Sequence, residues 1–382
     1  MGNRWYGKSF KLGVLGGGQL GRMMIQTAMN FDVRIYAMDK SKDAPCGHLA
    51  YEFTVGDIQS YDDVIAFGKE MDVLTVEIEH INVDALEALE KQGVKVFPQS
   101  RVIRLIQDKG LQKEFYQSNG IPTAAFVLIN KKEKLNKYSD QLPFVQKMRT
   151  GGYDGKGVAL LKESSAFENA FDGPSLIEDQ IDFEKELSVI VARNEQGESS
   201  AFPVVECQFN KELNLVEFLF SPADIPPDTE SEAVKLAQEV IEKLDMVGLL
   251  AVELFLTKKG ELYVNEVAPR THNSGHHTIE CNYTSQFEQH LRAILGLPLG
   301  STSTKIPGVM VNLLGSEKHT GTAVYDGIEQ VVGMEGVYLH LYGKSETKPN
   351  RKMGHATITN SNLEKAKEKA KEVQGKIRIV SI

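Results

Sequence analysis

At 382 residues, 41% hydrophobic and 25% charged, the chain has the composition of a folded protein of about two or three domains, and disordered and fibrous classes are excluded. A formal net charge of −9 argues against a surface that grips nucleic-acid phosphates, leaving room for a local basic pocket and a small phosphorylated metabolite. The three cysteines, Cys46, Cys207 and Cys281, show no CxxC spacing, no apolar run approaches the ~20 residues of a membrane span, and the start MGNRWYGKS lacks a signal-peptide core, so a reducing, cytoplasmic setting is expected.

Residues 11–15 read as a short apolar strand, followed by Gly16, Gly17, Gly18, Gln19, Leu20 and Gly21 and a helical run through Ala28. This is G-x-G-x-x-G between strand and helix, and Asp39 closes the next strand at about the spacing of a dinucleotide fingerprint. Glycines there let backbone amides approach an anion at a helix N-terminus, where the macrodipole favours negative charge. The motif does not identify the anion, because many doubly wound domains open this way.

Strand and helix then alternate: strand 52–55, helix 61–70, strand 73–77, helix 83–91, strand 94–97. The pattern predicts a parallel sheet covered by helices on both faces, with ligands beyond the carboxyl ends of its strands. Thr75, Glu77 and Glu79 fall at such an end; a solvated strand end is the plainer alternative. Residues 100–117 read as one helical connector carrying Arg101, Arg104, Lys109 and Lys113, which Gly120 and Pro122 terminate.

Between strands 143–147 and 158–161 lies Arg149-Thr150-Gly151-Gly152-Tyr153-Asp154-Gly155-Lys156-Gly157, with four glycines in seven residues and Lys147 beside it. Such a loop suits a cover over phosphates, although an exposed hairpin has a similar composition. A short strand, 176–178, leads through Asp179, Gln180 and Ile181 to the strand 186–193; Glu178, Glu184 and Glu186 flank the turn, where a ribose could be hydrogen-bonded. Two further strands, a proline-rich turn and a helix over 230–244 follow.

The stretch from Leu249 to Thr278 is the densest in chemistry. Two apolar runs joined by a Lys-Lys-Gly turn predict a hairpin, each arm carrying one carboxylate, Glu253 and Glu266. A carboxylate among strand hydrophobics is expected to be paired or to hold a cation, and Asn265 adds an amide oxygen of the kind a hard divalent ion accepts. Arg270, His272, Asn273, His276 and His277 come directly after. A helix over 285–295 ends at Gly296. In the last region the loop 342–355 gathers Lys344, Lys348, Arg351 and Lys352, a basic loop on an acidic protein that suits a phosphate.

Four stretches, GVLGGGQLGRM, KMRTGGYDGKGV, AVELF with VNEVAPRTHNSGHHT, and HLYGKSETKPNRKMGH, resemble the ATP-grasp superfamily and, within it, the N5-carboxyaminoimidazole ribonucleotide synthetases, over nearly the whole chain. The fold this implies is α/β, α+β in parts: a Rossmann-like pre-ATP-grasp domain over 1–119, a lid subdomain over 120–183, a catalytic subdomain over 184–300 and a small β-rich subdomain over 301–382. The activity it implies is carboxylation of aminoimidazole ribonucleotide in purine biosynthesis by ATP and bicarbonate, through carboxyphosphate, with Mg2+ (or Mn2+) as cofactor and a homodimer as the common assembly.

Carried over position by position, the resemblance makes Arg104, Lys147, Gly155, Glu178, Asp179, Gln180, Ile181, Glu186, Asn265 and Glu266 contacts of ATP. Glu253 and Glu266 become metal ligands. Tyr153, Asp154 and Lys156 become the closing loop, Arg270 and His272 the neighbours of bicarbonate or carboxyphosphate. Gly18, Gln19, Glu77, Asn273, Lys344 and Arg351 become the ribonucleotide's contacts. Many relatives read Pro-Val-Val-Glu-Asn-x-His where this chain has Pro203 to Phe209, so the ATP contact assigned to that histidine is not carried over.

Three alternatives stand beside this expectation: another ATP-grasp ligase, such as a ribonucleotide transformylase or a biotin carboxylase-like enzyme; an NAD-dependent oxidoreductase resting on Gly16 to Gly21 and Asp39; and a nucleotide-binding regulator without turnover.

Overall fold

The computed structural model describes residues 5–7, 9–152, 157–210 and 215–382. Its N-terminal part is a five-stranded parallel sheet in the order Glu52–Val55, Ile35–Asp39, Leu12–Leu15, Val73–Val76, Lys95–Val96. Strand periodicity sends alternate side chains into two separate cores: Leu12, Val14, Ile35 and Ala37 into one, Leu15, Tyr36, Met38 and Leu74 into the other. Both faces are therefore covered, as continuous apolar runs in a parallel sheet require. The chain reverses direction across the sheet between Leu12–Leu15 and Val73–Val76, which opens a crevice at their carboxyl ends, beside Gly16 to Gly18 and Glu77.

The expected connector is two helices, Ser100–Ile106 and Lys109–Ser118. Asp108 breaks the run by capping the second, its carboxylate accepting from the amides of Gly110 (2.8 Å) and Leu111 (3.3 Å). The cap sets the register of the new helix, so Lys109 and Lys113, one turn apart, share a face. Arg149 clamps the same Asp108 carboxylate with two bonds, at 2.8 and 2.6 Å, joining this helix start to the foot of the glycine-rich loop.

An antiparallel sheet follows in the order Phe126–Ile129, Ser175–Asp179, Phe144–Met148, Val158–Leu161. Among the described residues the largest sheet has nine strands; Ser199–Ala201 pairs only with Phe183–Arg193, and the other eight run from Leu262–Ala268 through Gly248–Thr257, Phe183–Arg193, Val205–Asn210 and Leu215–Ser221. It continues into the C-terminal region through Gly308–Leu314, Lys352–Thr359 and Val337–Leu341. The C-terminal region thus shares its sheet with the preceding one, while keeping its own core of Val311, Met353, Ile358 and Val373 under the helix Leu363–Lys376. Lys352, at the start of its strand in this sheet, acts on Glu253 of the carboxylate hairpin. Among the described residues no helix is long and apolar enough to cross a membrane.

Candidate active site

The hairpin Gly248–Thr257 and Leu262–Ala268 pairs Glu253 directly with Glu266. The next pair is Leu254 with Val264, so Asn265 is an extra residue on its strand, a β-bulge. A bulge re-aims side chains, and here two neighbours that strict alternation would separate both meet lysines: Asn265 Oδ1 accepts from Lys147 Nζ at 2.8 Å, and Glu266 forms an ion pair with Lys109. Burial pushes the Glu253 carboxyl up, and the facing Glu266 and nearby Glu186 push it further. Lys109 draws Glu266 the other way, down. Glu186, half-buried and within the field of Glu266, is pushed up to about 7, chiefly by desolvation.

Lys147 also pairs with Glu178 (2.5 Å), whose other oxygen meets Lys113 at 2.7 Å. Burial alone would raise the Glu178 carboxyl, but the two ammonium groups hold it low. Glu178 is therefore occupied in holding two lysines at the wall of a cleft lined also by Lys109, Asn265 and Glu266. Four carboxyls (Glu178, Glu186, Glu253, Glu266) stand against three lysines: Lys113 and Lys147 answer Glu178, Lys109 answers Glu266, and Glu186 and Glu253 are the two pushed up. Two facing carboxylates with an amide oxygen alongside fit a hard divalent ion that completes its shell with phosphate oxygens and water. Among the described residues no group of three or more His, Cys, Asp or Glu side chains forms a closed metal cage.

At the crevice of the parallel sheet two amides of the loop and helix start are taken by carboxylates. Asp39 accepts from the amide of Gly17 at 2.8 Å, and Glu77 from that of Leu20, in the first turn of Gln19–Met29, at 3.1 Å. A Cβ on Gly18 would overlap the Glu77 carboxylate, and one on Gly17 would lie 2.9 Å from Asp39 Cβ. The glycines here make room for two carboxylates rather than for a pyrophosphate, which removes the support for the dinucleotide-dependent alternative.

Arg270 forks onto Glu79, with Nε at 2.5 Å and Nη2 at 3.0 Å. Burial works to raise Glu79, but Arg270 holds it at about 2. Glu77 is pushed up to about 7 by burial, with Arg270 and Lys344 acting against the shift. Lys344 from the far C-terminal loop and Arg270, just past the hairpin's second strand, therefore both act on Glu77 at this crevice. Lys344 Nζ donates to the carbonyl of Lys352 (2.6 Å) and Arg351 Nη1 to that of Glu346 (2.8 Å). Gly343 turns this loop at φ +71, where a Cβ would come within 3.0 Å of Arg22, a cation that motif reading passed over.

His272 Nε2 lies 3.7 Å from Glu253, and its Nδ1 meets Ser274 Oγ at 2.9 Å, which in turn meets Ser188 Oγ at 2.8 Å. Burial, then Arg270 and Lys352, hold the ring neutral, down to about 3. Asn273 exchanges two amide hydrogen bonds with Asn312, at 2.9 and 3.0 Å.

The structure thus gathers Lys147, Asn265 and Glu266 around one cleft, with Glu178 holding its lysines and Glu186 within the field of Glu266, and it sets Arg270 and Lys344 acting on Glu77 at the crevice, with His272 beside Glu253. Gly18 and Gln19 lie at the crevice, and Asp179, Gln180 and Ile181 follow Glu178 at the strand end. Arg104 is not among them: its guanidinium is held by Asp84 (2.7 Å) and Glu87 (3.1 Å) at the surface. Tyr153, Asp154, Gly155 and Lys156 lie outside the described residues. Lys109, Lys113 and Lys352 belong to the site, although the sequence marks them only as cations of the connector and of the basic loop. The first two carried a signal, two lysines one turn apart on the face that also carries Gln112 and Tyr116, which the helix buries.

The Arg270–Glu79 fork has a pH signature. Because the folded Glu79 carboxyl titrates near 2, below its ordinary 4.5, its stabilisation is complete above pH 4.5 and disappears as pH falls toward 2. Glu79→Gln is expected to flatten the fall in unfolding temperature over that interval relative to the unaltered protein. Parallel curves would show that the fork contributes no pH-dependent stability.

Comparison with known proteins gives three family matches in chain order: the ribonucleotide synthetase preATP-grasp domain over residues 10–107, the ATP-grasp domain over 114–287, and the phosphoribosylaminoimidazole carboxylase C-terminal domain over 308–369. The chain is 42% identical to the chloroplastic phosphoribosylaminoimidazole carboxylase of Vigna aconitifolia, over 92% of this chain and 64% of the plant protein, so it spans just under two thirds of that relative. It superposes on the crystal structure of N5-carboxyaminoimidazole ribonucleotide synthetase from Thermotoga maritima with a TM-score of 0.90 and 42% identity, covering 98% of this chain and 100% of the other. The Aspergillus clavatus N5-carboxyaminoimidazole synthase, solved with ADP and 5-aminoimidazole ribonucleotide, matches with a TM-score of 0.86 and 31% identity, covering 96% and 99%. With all three matched domains in order and whole-chain likeness at this identity, the chain belongs to the N5-carboxyaminoimidazole ribonucleotide synthetase family of ATP-grasp enzymes.

Proposed function

We propose that this chain carboxylates the amino group of 5-aminoimidazole ribonucleotide, using ATP and bicarbonate and releasing ADP and phosphate. The observation that carries the reading is the placement of the Glu253–Glu266 pair between a lysine-lined cleft and a crevice holding Arg270 and Lys344. An ATP-dependent carboxylation needs both ends in one site.

A bicarbonate oxygen attacks the γ-phosphorus of ATP, the bond to ADP breaks, and carboxyphosphate forms. The ribonucleotide amine then attacks the carboxyl carbon, phosphate leaves, and the amine loses a proton. Lys147 and Lys113, fixed by Glu178, hold ATP phosphates, and Lys109 offsets charge at Glu266. Asp179, Gln180 and Ile181 meet the adenine, and Glu186 the ribose. Arg270 and His272 bind the bicarbonate and carboxyphosphate oxygens. A Mg2+ ion held by Glu253 and Glu266 would supply positive charge to the transferring phosphoryl group. Lys344 and Arg351 bind the ribonucleotide phosphate beside Gly18, Gln19 and Glu77. Tyr153, Asp154 and Lys156 close over the intermediate, which water would otherwise hydrolyse. A homodimer in the cytoplasm completes the reading.

The test is phosphate release by the purified chain with Mg2+ and bicarbonate, with and without aminoimidazole ribonucleotide. Stimulation by the ribonucleotide is expected, and its absence would sink the reading. In the same assay Lys344→Ala should raise the KM for the ribonucleotide about tenfold or more while sparing the KM for ATP, since one charged phosphate contact is lost. The reverse pattern would move Lys344 to the ATP end.

A further inference from the structure

Gln286 is fully buried at the start of the helix Gln286–Ile294, yet its side chain faces the catalytic loop rather than its own helix. Its Oε1 accepts from the amide of His272 at 2.8 Å, and its Nε2 donates to the carbonyl of His272 at 2.8 Å. This is a β-bridge made by a side chain to a single residue. The remaining N–H of the amide meets His276 Nδ1 at 3.1 Å. Gly275 admits the arrangement, because a Cβ there would lie 2.5 Å from the Gln286 amide carbon.

The His276 ring stacks on His355 with centroids 4.6 Å apart, and His355 stacks on His340 at 4.5 Å. His355 Nδ1 bonds the Tyr342 hydroxyl at 3.0 Å. Tyr342 and His355 bracket the loop that carries Lys344 and Arg351. His276 and His355 are fully buried, and the Nε2 atom of each has no hydrogen-bond partner among the described residues. The Nδ1 contacts and the stacking are therefore what orient these rings.

None of these groups is needed for bond making. A buried amide that spends its bonds on the main chain of one residue fixes where that residue's side chain can reach. We propose that Gln286 and His276 are positioning residues: they seat His272 against Glu253 and tie its main chain, through His355, to the loop carrying Lys344 and Arg351. This rests on the function proposed above, and it makes the bicarbonate end and the ribonucleotide end of the site one rigid unit. Loss of the tie leaves ATP cleavage possible but lets carboxyphosphate decay to phosphate and bicarbonate before the amine attacks.

The test uses Gln286→Met, which keeps length without the amide, and His276→Phe, which keeps a stacking ring without Nδ1. Each is expected to lower kcat/KM for bicarbonate by about tenfold or more, on the scale of a misplaced reacting group. Each should also raise phosphate released per carboxylated product above the unaltered protein's ratio, with ADP affinity and KM for ATP within about twofold. Should Gln286→Met fail to fold, His276→Phe carries the test. A folded variant with unchanged bicarbonate kcat/KM and unchanged coupling overturns the inference, as does one that loses ATP and bicarbonate affinity equally. If the unaltered chain shows no ribonucleotide-stimulated ATP cleavage, it is the functional reading that fails.

Discussion

Glu266→Gln is expected to lower ATP turnover by on the order of a hundredfold to a thousandfold, the scale seen when one preorganised charge contact to a transition state is lost. The glutamine keeps the volume and the position on the bulged strand, so packing should not change. It removes the charge that Lys109 answers and one of the two oxygen-donor carboxylates facing each other across the hairpin. With a neutral amide opposite, the repulsion that raises Glu253 is weakened. Losing the partner of Lys109 and relieving Glu253 act on stability in opposite directions, so the decisive readout is that the variant loses the response of ADP binding to added Mg2+. Turnover within tenfold of the unaltered protein, with normal Mg2+ dependence, would remove this carboxylate from the metal site.

The second large effect belongs to Glu178. Its side chain is 5% exposed, and its lysine partners Lys113 and Lys147 are 4% and 10% exposed. Breaking a buried ion pair by removing one partner costs about 3–5 kcal/mol, because the surviving charge stays desolvated. Here Glu178→Gln would leave two ammonium groups close together with no countercharge between them. The expected result is a clear drop in unfolding temperature together with weaker ADP binding, since Lys147 would no longer be held against Asn265. ADP should restore more stability to the variant than to the unaltered chain, because its phosphates supply the missing negative charge. An unchanged unfolding temperature would show that the lysines find other partners, and normal ADP affinity would free Glu178 from any positioning duty.

The legible parts of the site were those in which local pattern and chemistry coincide. Glu253 and Glu266 stood out because a carboxylate in an apolar strand is costly unless paired. The glycine loop after Leu12–Leu15 was equally visible, but its use was not: only the structure shows that Asp39 and Glu77 occupy the amides of Gly17 and Leu20. The connector was read as one helix since nothing local marks Asp108 as a cap as strongly as its bonds to Gly110, Leu111 and Arg149 do in three dimensions. The family resemblance made Arg104 an ATP contact, and in the structure its guanidinium pairs with Asp84 and Glu87 on the neighbouring helix Val83–Lys91. Gln286 could not be found from pattern, because a glutamine at a helix start is ordinary and its partners lie about ten and fourteen residues back along the chain.

By itself the sequence determined the class of chemistry: residue types, the doubly wound start, the two-carboxylate hairpin and the basic C-terminal loop all follow from side-chain character and periodicities of 2 and 3.6 residues, which act locally. The tertiary structure decided which charges meet. A bulge turned Asn265 and Glu266 to two lysines, a helix cap aligned Lys109 with Lys113, and the fold set Lys344 and Arg270 both acting on Glu77. Those pairings depend on contacts between residues separated by as many as 157 positions, as for Lys109 and Glu266, and no local preference encodes them. Burial then set the strength of each, since the same carboxylate is driven up or down by whichever charge the fold places against it.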